Sequence, residues 1–367
     1  MPENHVSHNA TGTPRPFLSR LLSSYVSLRY LFLPSTYLAS LFVFLAAPAQ
    51  QLPPAEPPRP LPSAPGESPT IRVTTNEVLV PTLVEKGGEI VYGLKQGDFI
   101  LEDNGVPQKI RVQEELDSAP VALVVAVEQG RSSALEFDKV ARVSPLLDLF
   151  LTDPRSQVAL MGFDSKPHLI HDYTHSSDEL TNALQHLEPG DGGSAILDTV
   201  SSAVDLLQTQ SKDFRRVLLL ISEERDHGSK HTKPVQLIQK IGRSDVLVLS
   251  VSFSPSRAEF LSDLAGHNQA GAAADLLAPL LMAINGIKKN VTKEVALESG
   301  GEYSTFTVDK RFEQRVVDAA KHVRNRYLIT FSPSNPTPGL HSIRVKTTQD
   351  YGAHIVARAN YWVAVAQ

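Results

Sequence analysis

The chain of 367 residues contains no cysteine, and this absence excludes several kinds of site. Disulfide bonds, thiolate metal centres and a cysteine nucleophile all need a residue that is missing here. The formal net charge of −5 is small, and the charged residues form no long runs. The charge pattern therefore gives no support to binding of nucleic acid or of an anionic membrane surface, and we expect neither.

Motifs for catalysis are also missing. Serines, histidines and acidic residues are plentiful, but there is no Gly-x-Ser-x-Gly turn and no His-Glu-x-x-His helix. No glycine-rich loop is followed by the Lys-Ser or Lys-Thr pair of a phosphate-binding loop. The sequence therefore predicts no catalytic residue and no small-molecule substrate.

Residues 1–49 have the layout of a signal peptide. Three arginines precede an uncharged stretch from Tyr30 to Ala49, which ends in Ala47-Pro48-Ala49, the small-x-small pattern of a signal peptidase site. We therefore expect an exported protein, either periplasmic or secreted. The uncharged stretch also reaches the ~20 residues that span a bilayer, so a retained N-terminal membrane anchor is the alternative.

The rest of the chain divides by its pattern of apolar residues. Residues 50–69 are rich in proline and predict an extended linker. Residues 70–116 and 325–367 alternate in the manner of antiparallel strands, whereas residues 117–324 alternate between strands and helices. Each end has too few strands to be stable alone. We therefore predict one smaller β-sandwich made from both chain ends, with an α/β domain inserted between them.

The centre of the α/β domain is the apolar run Val121–Glu128. A short run of this kind, rich in β-branched residues, is typical of a strand buried on both faces of a sheet. Arg216–Ile221 and Val246–Phe253 have the same character. We predict a doubly wound, mostly parallel sheet, in which the polar loop Gln129–Ser133 lies at the carboxyl edge, where ligands gather in such folds.

Several segments, in this order and spacing, resemble the von Willebrand factor A-type (VWA) domain. The more specific likeness is to the VWFA-related domain of acidobacterial exported proteins, and it covers Ile71 to Trp362. The resemblance implies a Rossmann-like α/β fold. The resemblance rests on three features. The Gly-Gly-Ser-Ala-Ile-Leu-Asp turn is Gly192–Asp198, and the closing strands lie within Tyr327–Tyr361. The N-terminal β segment consists of Val78–Pro81, Gly93–Phe99 and Glu102–Ile110.

VWA domains usually hold a divalent cation in a metal-ion-dependent adhesion site (MIDAS). Its pattern is Asp-x-Ser-x-Ser after the first strand, a Thr in a later loop, and an Asp after the fourth strand. By resemblance these positions are Glu128, Gly130 and Ser132, then Ser194, then Glu223. Only Ser132 keeps the family's residue. Ser132 and Ser194 also stand where a helix begins, so helix capping is a structural alternative for both.

The departures from the pattern imply a degenerate MIDAS. Gly130 removes a hydroxyl ligand, and the longer Glu128 and Glu223 would crowd a Mg²⁺ ion that demands octahedral geometry at ~2.0–2.1 Å. Arg131 and Arg225 place guanidinium groups nearby. We therefore predict salt bridges in place of a metal, with no cofactor. Binding of Mg²⁺ or Mn²⁺ is the alternative.

The sequence thus predicts an exported, non-catalytic module that binds a protein partner through the loops of its carboxyl edge. Two alternatives stay open. One is a structural or scaffolding component of a cell-envelope assembly with a vestigial site, and the other is a hydrolase with an unrecognised site. The residues predicted to form the partner-binding rim of the degenerate MIDAS (the rim residues) are Glu128, Gly130, Arg131, Ser132, Ser194, Glu223 and Arg225.

Overall fold

Three separate β-sheets and the helices between them organise the chain in the computed structural model. The structure describes residues 77–113, 119–130, 137, 140, 142, 144–253, 277–306 and 309–365. The predicted signal peptide and linker lie outside these residues, as do Arg131 and Ser132. Among the described residues, no helix has both the length and the apolar character needed to cross a bilayer.

The strands and helices are as follows. The strands are β1 Val78–Lys86, β2 Glu89–Ile90, β3 Phe99–Asp103, β4 Val106–Pro107, β5 Ile110–Gln113, β6 Val121–Glu128, β7 Gln157–Phe163, β8 Pro167–Thr174, β9 Arg215–Ser222, β10 Leu247–Phe253, β11 Tyr303–Phe306, β12 Tyr327–Phe331, β13 Gly339–Thr347, β14 His354–Val356 and β15 Asn360–Val363. The helices are α1 Ser144–Leu147, α2 Ser177–Gln185, α3 Ile196–Gln208, α4 Pro234–Arg243, α5 Leu277–Lys289, α6 Val291–Ser299 and α7 Asp309–Arg324.

The α/β body is a six-stranded sheet in the order β11-β10-β9-β6-β7-β8, with helices on both faces. All neighbouring strands are parallel except β7 and β8, which are antiparallel. Every residue of β6 is buried. Its odd-numbered apolar residues pack against α1, α2 and α7, and its even-numbered ones pack against α3 to α6. Burial on both faces explains why this strand is apolar throughout, and the predicted α/β fold with a mostly parallel sheet is confirmed.

Strands from the two ends of the chain form the other two sheets, which are antiparallel. One has the order β14-β1-β12-β5, with β2 beside β1, and the other has the order β15-β13-β3-β4. In the first sheet Val80 of β1 lies opposite Ile329 of β12. Their apolar faces share one core, in which Leu101 and Phe331 are almost fully buried. The two ends therefore build a β-sandwich together, as the alternating patterns predict.

Two buried arginines join the sandwich to the α/β body. Arg358, between β14 and β15, donates to the carbonyl oxygens of Ile241 and Gly242 at 3.1 and 3.3 Å. These carbonyls belong to the last turn of α4, where the helix itself supplies few partners, and Ile241 also accepts the N–H of Ser244 at 3.0 Å. Arg326, just before β12, is 1% exposed and donates to the Gly300 carbonyl at 2.8 Å. Each guanidinium thus satisfies backbone groups of the body from a position in the sandwich.

We expect the sandwich to fail when its C-terminal half is removed. Deleting residues 326–367 takes away β12 and β14, which pair with successive halves of β1. Val80, Leu83 and Val84, all fully buried, would then face water. Limited proteolysis read by mass spectrometry should show cleavage within residues 77–113 at least about tenfold faster than in the full chain. A deletion of residues 364–367, which spares every strand, is the control. Equal protection of residues 77–113 in both truncations would contradict a shared sandwich.

Candidate functional site

The carboxyl ends of β6 and β9 bring two acidic residues together. Glu128 ends β6, and Glu223 follows β9 directly. The strands are neighbours, with Val127 opposite Ile221. The Glu128 side chain is 1% exposed, and its Oε2 accepts a hydrogen bond of 2.7 Å from the backbone N–H of Glu223. The two acidic residues therefore meet at the ends of adjacent strands.

Burial decides the charge of this pair. It raises the pKa of Glu128 from 4.5 to about 8, and the charge of Glu223 raises it further, since two carboxylates repel. The backbone N–H of Glu223 and the nearby Ser194 hydroxyl lower the pKa of Glu128, but by less than burial raises it. A hydrogen bond between the two carboxyl groups also favours the protonated form of Glu128. Burial therefore favours the protonated form of Glu128 at neutral pH.

Glu223 makes a second contact that the sequence analysis did not assign. Its Oε1 lies 3.1 Å from Nδ1 of His227, whose side chain is 51% exposed. The spacing of four residues in Glu-Glu-Arg-Asp-His was the available signal. Arg225 is exposed, and its carbonyl oxygen lies 3.2 Å from the same Nδ1. The predicted salt bridges from Arg131 and Arg225 stay a prediction, since Arg131 lies outside the described residues.

Ser194 and Gly130 are buried beside the pair. Ser194 is fully buried, and its Oγ makes no hydrogen bond of ordinary geometry with any described residue. Helix capping does not account for it, because α3 begins at Ile196 and its N-cap residue is Ala195, which makes no side-chain hydrogen bond. The Ser194 carbonyl instead accepts the His227 N–H at 3.0 Å. Gly130 is also buried and has no side-chain oxygen to offer.

Asp198 fixes the loop that follows β9. It ends the Gly-Gly-Ser-Ala-Ile-Leu-Asp turn and accepts the backbone N–H groups of Lys230, His231 and Thr232 at 2.6–3.2 Å. Burial alone would raise the pKa of Asp198, but these N–H groups outweigh it and lower the pKa. Asp226 makes the reverse connection. It lies in the loop after β9, and its Oδ1 accepts the N–H of Leu197 on α3 at 3.0 Å. The loop and the helix start are therefore tied together in both directions.

The loop before α3 is tied to the end of β7 in a similar way. Asp191 accepts the N–H groups of Ser165 and Gly193 at 3.1 and 2.9 Å, and its own N–H donates to Asp164 at 3.2 Å. A Cβ on Gly193 would lie only 2.8 Å from the Ser165 nitrogen, so glycine is needed for this close approach. Together, residues 164–166, 186–195 and 223–233 form the carboxyl-edge loops.

The residues at the MIDAS position do not fit a divalent cation. The Oε2 of Glu128 already accepts a backbone N–H, Gly130 supplies no side-chain ligand, and Oε1 of Glu223 lies 3.1 Å from Nδ1 of His227. The part of the chain that the structure describes contains no group of three or more His, Cys, Asp or Glu side chains that could hold a metal ion. An octahedral Mg²⁺ site needs several oxygen ligands held at ~2.0–2.1 Å.

Comparison with known proteins assigns a family to the segment around this site. Residues 128–225 match the family model of the von Willebrand factor type A domain. This segment runs from Glu128 to Arg225 and so contains all seven rim residues. No curated protein matches the sequence significantly.

Solved structures with a similar chain path share little sequence with this protein. The conserved hypothetical protein BatB from Bacteroides thetaiotaomicron is 16% identical, with a TM-score of 0.37, over 55% of this chain and 99% of its own. The vWF domain of the type V pili tip protein Mfa5 from Porphyromonas gingivalis is 11% identical, with a TM-score of 0.39, over 56% and 95%. A D319A mutant of the PilB minor pilin from Streptococcus sanguinis is 11% identical, with a TM-score of 0.40, over 57% and 62%. Similarity this remote carries no information about the partner of this chain.

We expect Glu128→Gln to remove part of the pH dependence of folding stability. The folded-state pKa of about 8 exceeds the ordinary value of 4.5, so the folded protein binds this proton more tightly. The stability that Glu128 contributes is therefore fully present below about pH 4.5 and is lost as the pH rises to about 8. A glutamine stays neutral and can still accept the Glu223 N–H. The free energy of unfolding of the Glu128→Gln variant should therefore fall less steeply with rising pH than that of the wild type. The difference in slope over this window should reach up to ~1.4 kcal/mol per pH unit.

Urea unfolding at several values between pH 5 and pH 8 measures this difference. Glu89→Gln, at a side chain that is 85% exposed, is the control and should keep the wild-type slope. Parallel pH profiles for Glu128→Gln and the wild type would show that Glu128 is ionised across the whole window.

Proposed function

We propose that this protein is an exported, non-catalytic module that binds a protein partner through its carboxyl-edge loops. The observation that carries the proposal is that these loops are held in place by side chains of the protein itself. Asp198, Asp226 and Asp191 each accept backbone N–H groups from a neighbouring loop or helix start. A preorganised surface loses little conformational entropy on binding. Domains of the matching family typically bind other proteins, which supports the same role.

The surface of the loops is charged and accessible. Arg225, His227 and Lys230 are exposed on the loop after β9, and Asp191 is exposed on the loop before α3. Beneath them, burial raises the pKa of Glu128 to about 8 and so favours its neutral form. We propose that a partner is recognised by these exposed groups and that no bridging metal is required.

A catalytic role has less support. A histidine and an aspartate do meet in the β-sandwich, where His341 Nδ1 lies 2.9 Å from Asp103 Oδ1. However, His341 is 1% exposed, and its Nε2 lies 2.7 Å from the Thr337 carbonyl oxygen. Burial opposes the charge on His341, but these two acceptors raise its pKa above the ordinary value. The ring is therefore held as a buried ion-pair partner and has no free nitrogen to act as a base.

Partner binding should depend on the exposed loop residues. A triple variant, Arg225→Ala, His227→Ala and Lys230→Ala, removes three exposed side chains and leaves the backbone N–H of Lys230 on Asp198. We expect partner affinity to fall at least about tenfold, the loss of ~1.4 kcal/mol expected of a central contact. The measurement is capture from a cell-envelope extract on the immobilised full chain, with quantitative mass spectrometry. The control triple variant changes exposed cations on α5 and α7: Lys288→Ala, Lys289→Ala and Arg315→Ala.

A protein captured by the wild type and the control, but lost with the loop variant, fits the proposal. Its capture should also survive chelation by EDTA, and calorimetric titration with Mg²⁺ or Mn²⁺ should give no micromolar binding. Capture that the loop variant leaves unchanged would favour the scaffolding alternative with a vestigial site. Micromolar metal binding that Glu128→Ala abolishes would overturn the metal-free part of the proposal.

Export is the second part of the proposal, and it rests on the sequence pattern alone. Cleavage after Ala49 would release a mature protein that begins at Gln50. We expect mass spectrometry of the protein from its native cells to find this N-terminus in the periplasmic or secreted fraction. An intact leader in the membrane fraction would show that the uncharged stretch is an anchor.

A further inference from the structure

A cleft lies at the amino edge of the α/β body, at the opposite ends of the strands from Glu128. Its cavity volume is about 530 Å³, and the body and the sandwich each form one wall. Lys212 and Arg216 lie near the start of β9, Arg243 ends α4, and Trp362 and Val363 belong to β15 of the sandwich. Small-molecule sites in proteins usually measure ~300–1,000 Å³ and occur at junctions between domains, so the size and the place are both suitable.

Positive charge dominates this cleft. Lys212, Arg216, Arg243 and Arg358 line it, against only two acidic residues. Both acids are already paired, since Asp245 Oδ1 lies 2.6 Å from Arg216 and Glu77 contacts Arg111 outside the lining. Arg358 is occupied by backbone carbonyl oxygens. Lys212 and Arg243 remain, both exposed, and neither has an acidic partner in the described part of the chain.

Apart from Gln208 and Ser244, the rest of the lining is mostly apolar or aromatic. The guanidinium carbon of Arg243 lies 5.8 Å from the ring centroid of Trp362, so the cation is held over an aromatic face. Pro333 and Pro336 border the same space. Arg216, also in the wall, is only 7% exposed, and no described residue accepts a hydrogen bond from its Nε. A ligand here would meet the exposed cations of Lys212 and Arg243 together with the surfaces of Trp362 and the two prolines.

We propose that this cleft binds an organic carboxylate with an apolar body. The carboxylate lies between Lys212 and Arg243, which supply charge-assisted hydrogen bonds, and the apolar part lies against Trp362 and the two prolines. A free aliphatic acid and the C-terminus of a hydrophobic peptide share this chemistry. The site is separate from the carboxyl-edge loops and does not depend on the function proposed for them.

Trp362 makes the proposal testable by fluorescence, because it is the only tryptophan of the chain. The probes are octanoate and the peptide acetyl-Ala-Leu-Val with a free C-terminus, each titrated into the full chain. The same peptide with an amidated C-terminus is the ligand control. The double variant Lys212→Gln and Arg243→Gln removes the two unpaired cations at exposed positions. Arg315→Gln with Lys289→Gln removes the same charges outside the cleft and is the protein control.

We expect saturable changes in Trp362 fluorescence with one or both free carboxylates, confirmed by calorimetry. The cleft variant should raise the Kd at least about tenfold, and the protein control should change it by less than about twofold. Octanoate binding alone assigns a free acid as the ligand, and peptide binding alone assigns a chain terminus. Failure of both probes to bind, equal affinity for the amide, or unchanged affinity in the cleft variant would each overturn the proposal.

Discussion

The antiparallel pairing of β1 with β12 is the constraint on which the rest of the architecture depends. Val80 lies opposite Ile329, so the chain leaves the sandwich after β5, builds the whole α/β body, and returns to the strand beside the one with which it began. Closing so long a loop costs chain entropy, although this cost grows only slowly with length. The return is fixed by Arg326, whose buried guanidinium bonds Gly300 at the end of the body. The body is therefore held at both of its ends by one sheet.

At the carboxyl edge, the surroundings of Glu128 decide its charge. Glu128 reaches far enough to accept the Glu223 N–H at 2.7 Å, and this bond favours the carboxylate. Burial and the second carboxyl group oppose it and win, which leaves the pKa of Glu128 at about 8. Asp198 and Asp226 hold the loops above the pair through backbone N–H groups.

The features of the fold that depend on local or periodic patterns were predictable from the sequence. The apolar runs of β6 and β9 indicated buried parallel strands, and the meeting of Glu128 and Glu223 followed once those strands were neighbours. The antiparallel β8 had a signal too, since the three residues between β7 and β8 are too few for a parallel crossover. The contact of His227 with Glu223 had a signal as well, the spacing of four residues. The burial of Ser194 and the carbonyl contacts of Arg358 depend on how loops pack in three dimensions, and no spacing in the sequence encodes them.

One strand, β9, connects the two edges of the sheet. Arg216 stands at the amino end of β9 and Glu223 just beyond its carboxyl end. Eight residues of strand span about 25 Å. The Debye length at physiological ionic strength is about 8 Å, so charges on the exposed loops are screened from exposed charges of the cationic cleft. Buried groups such as Glu128 and Arg216 are screened much less, because no salt solution lies between them. All but one of the eight residues of β9 are buried, so the core around this strand is the path along which the two edges can influence each other.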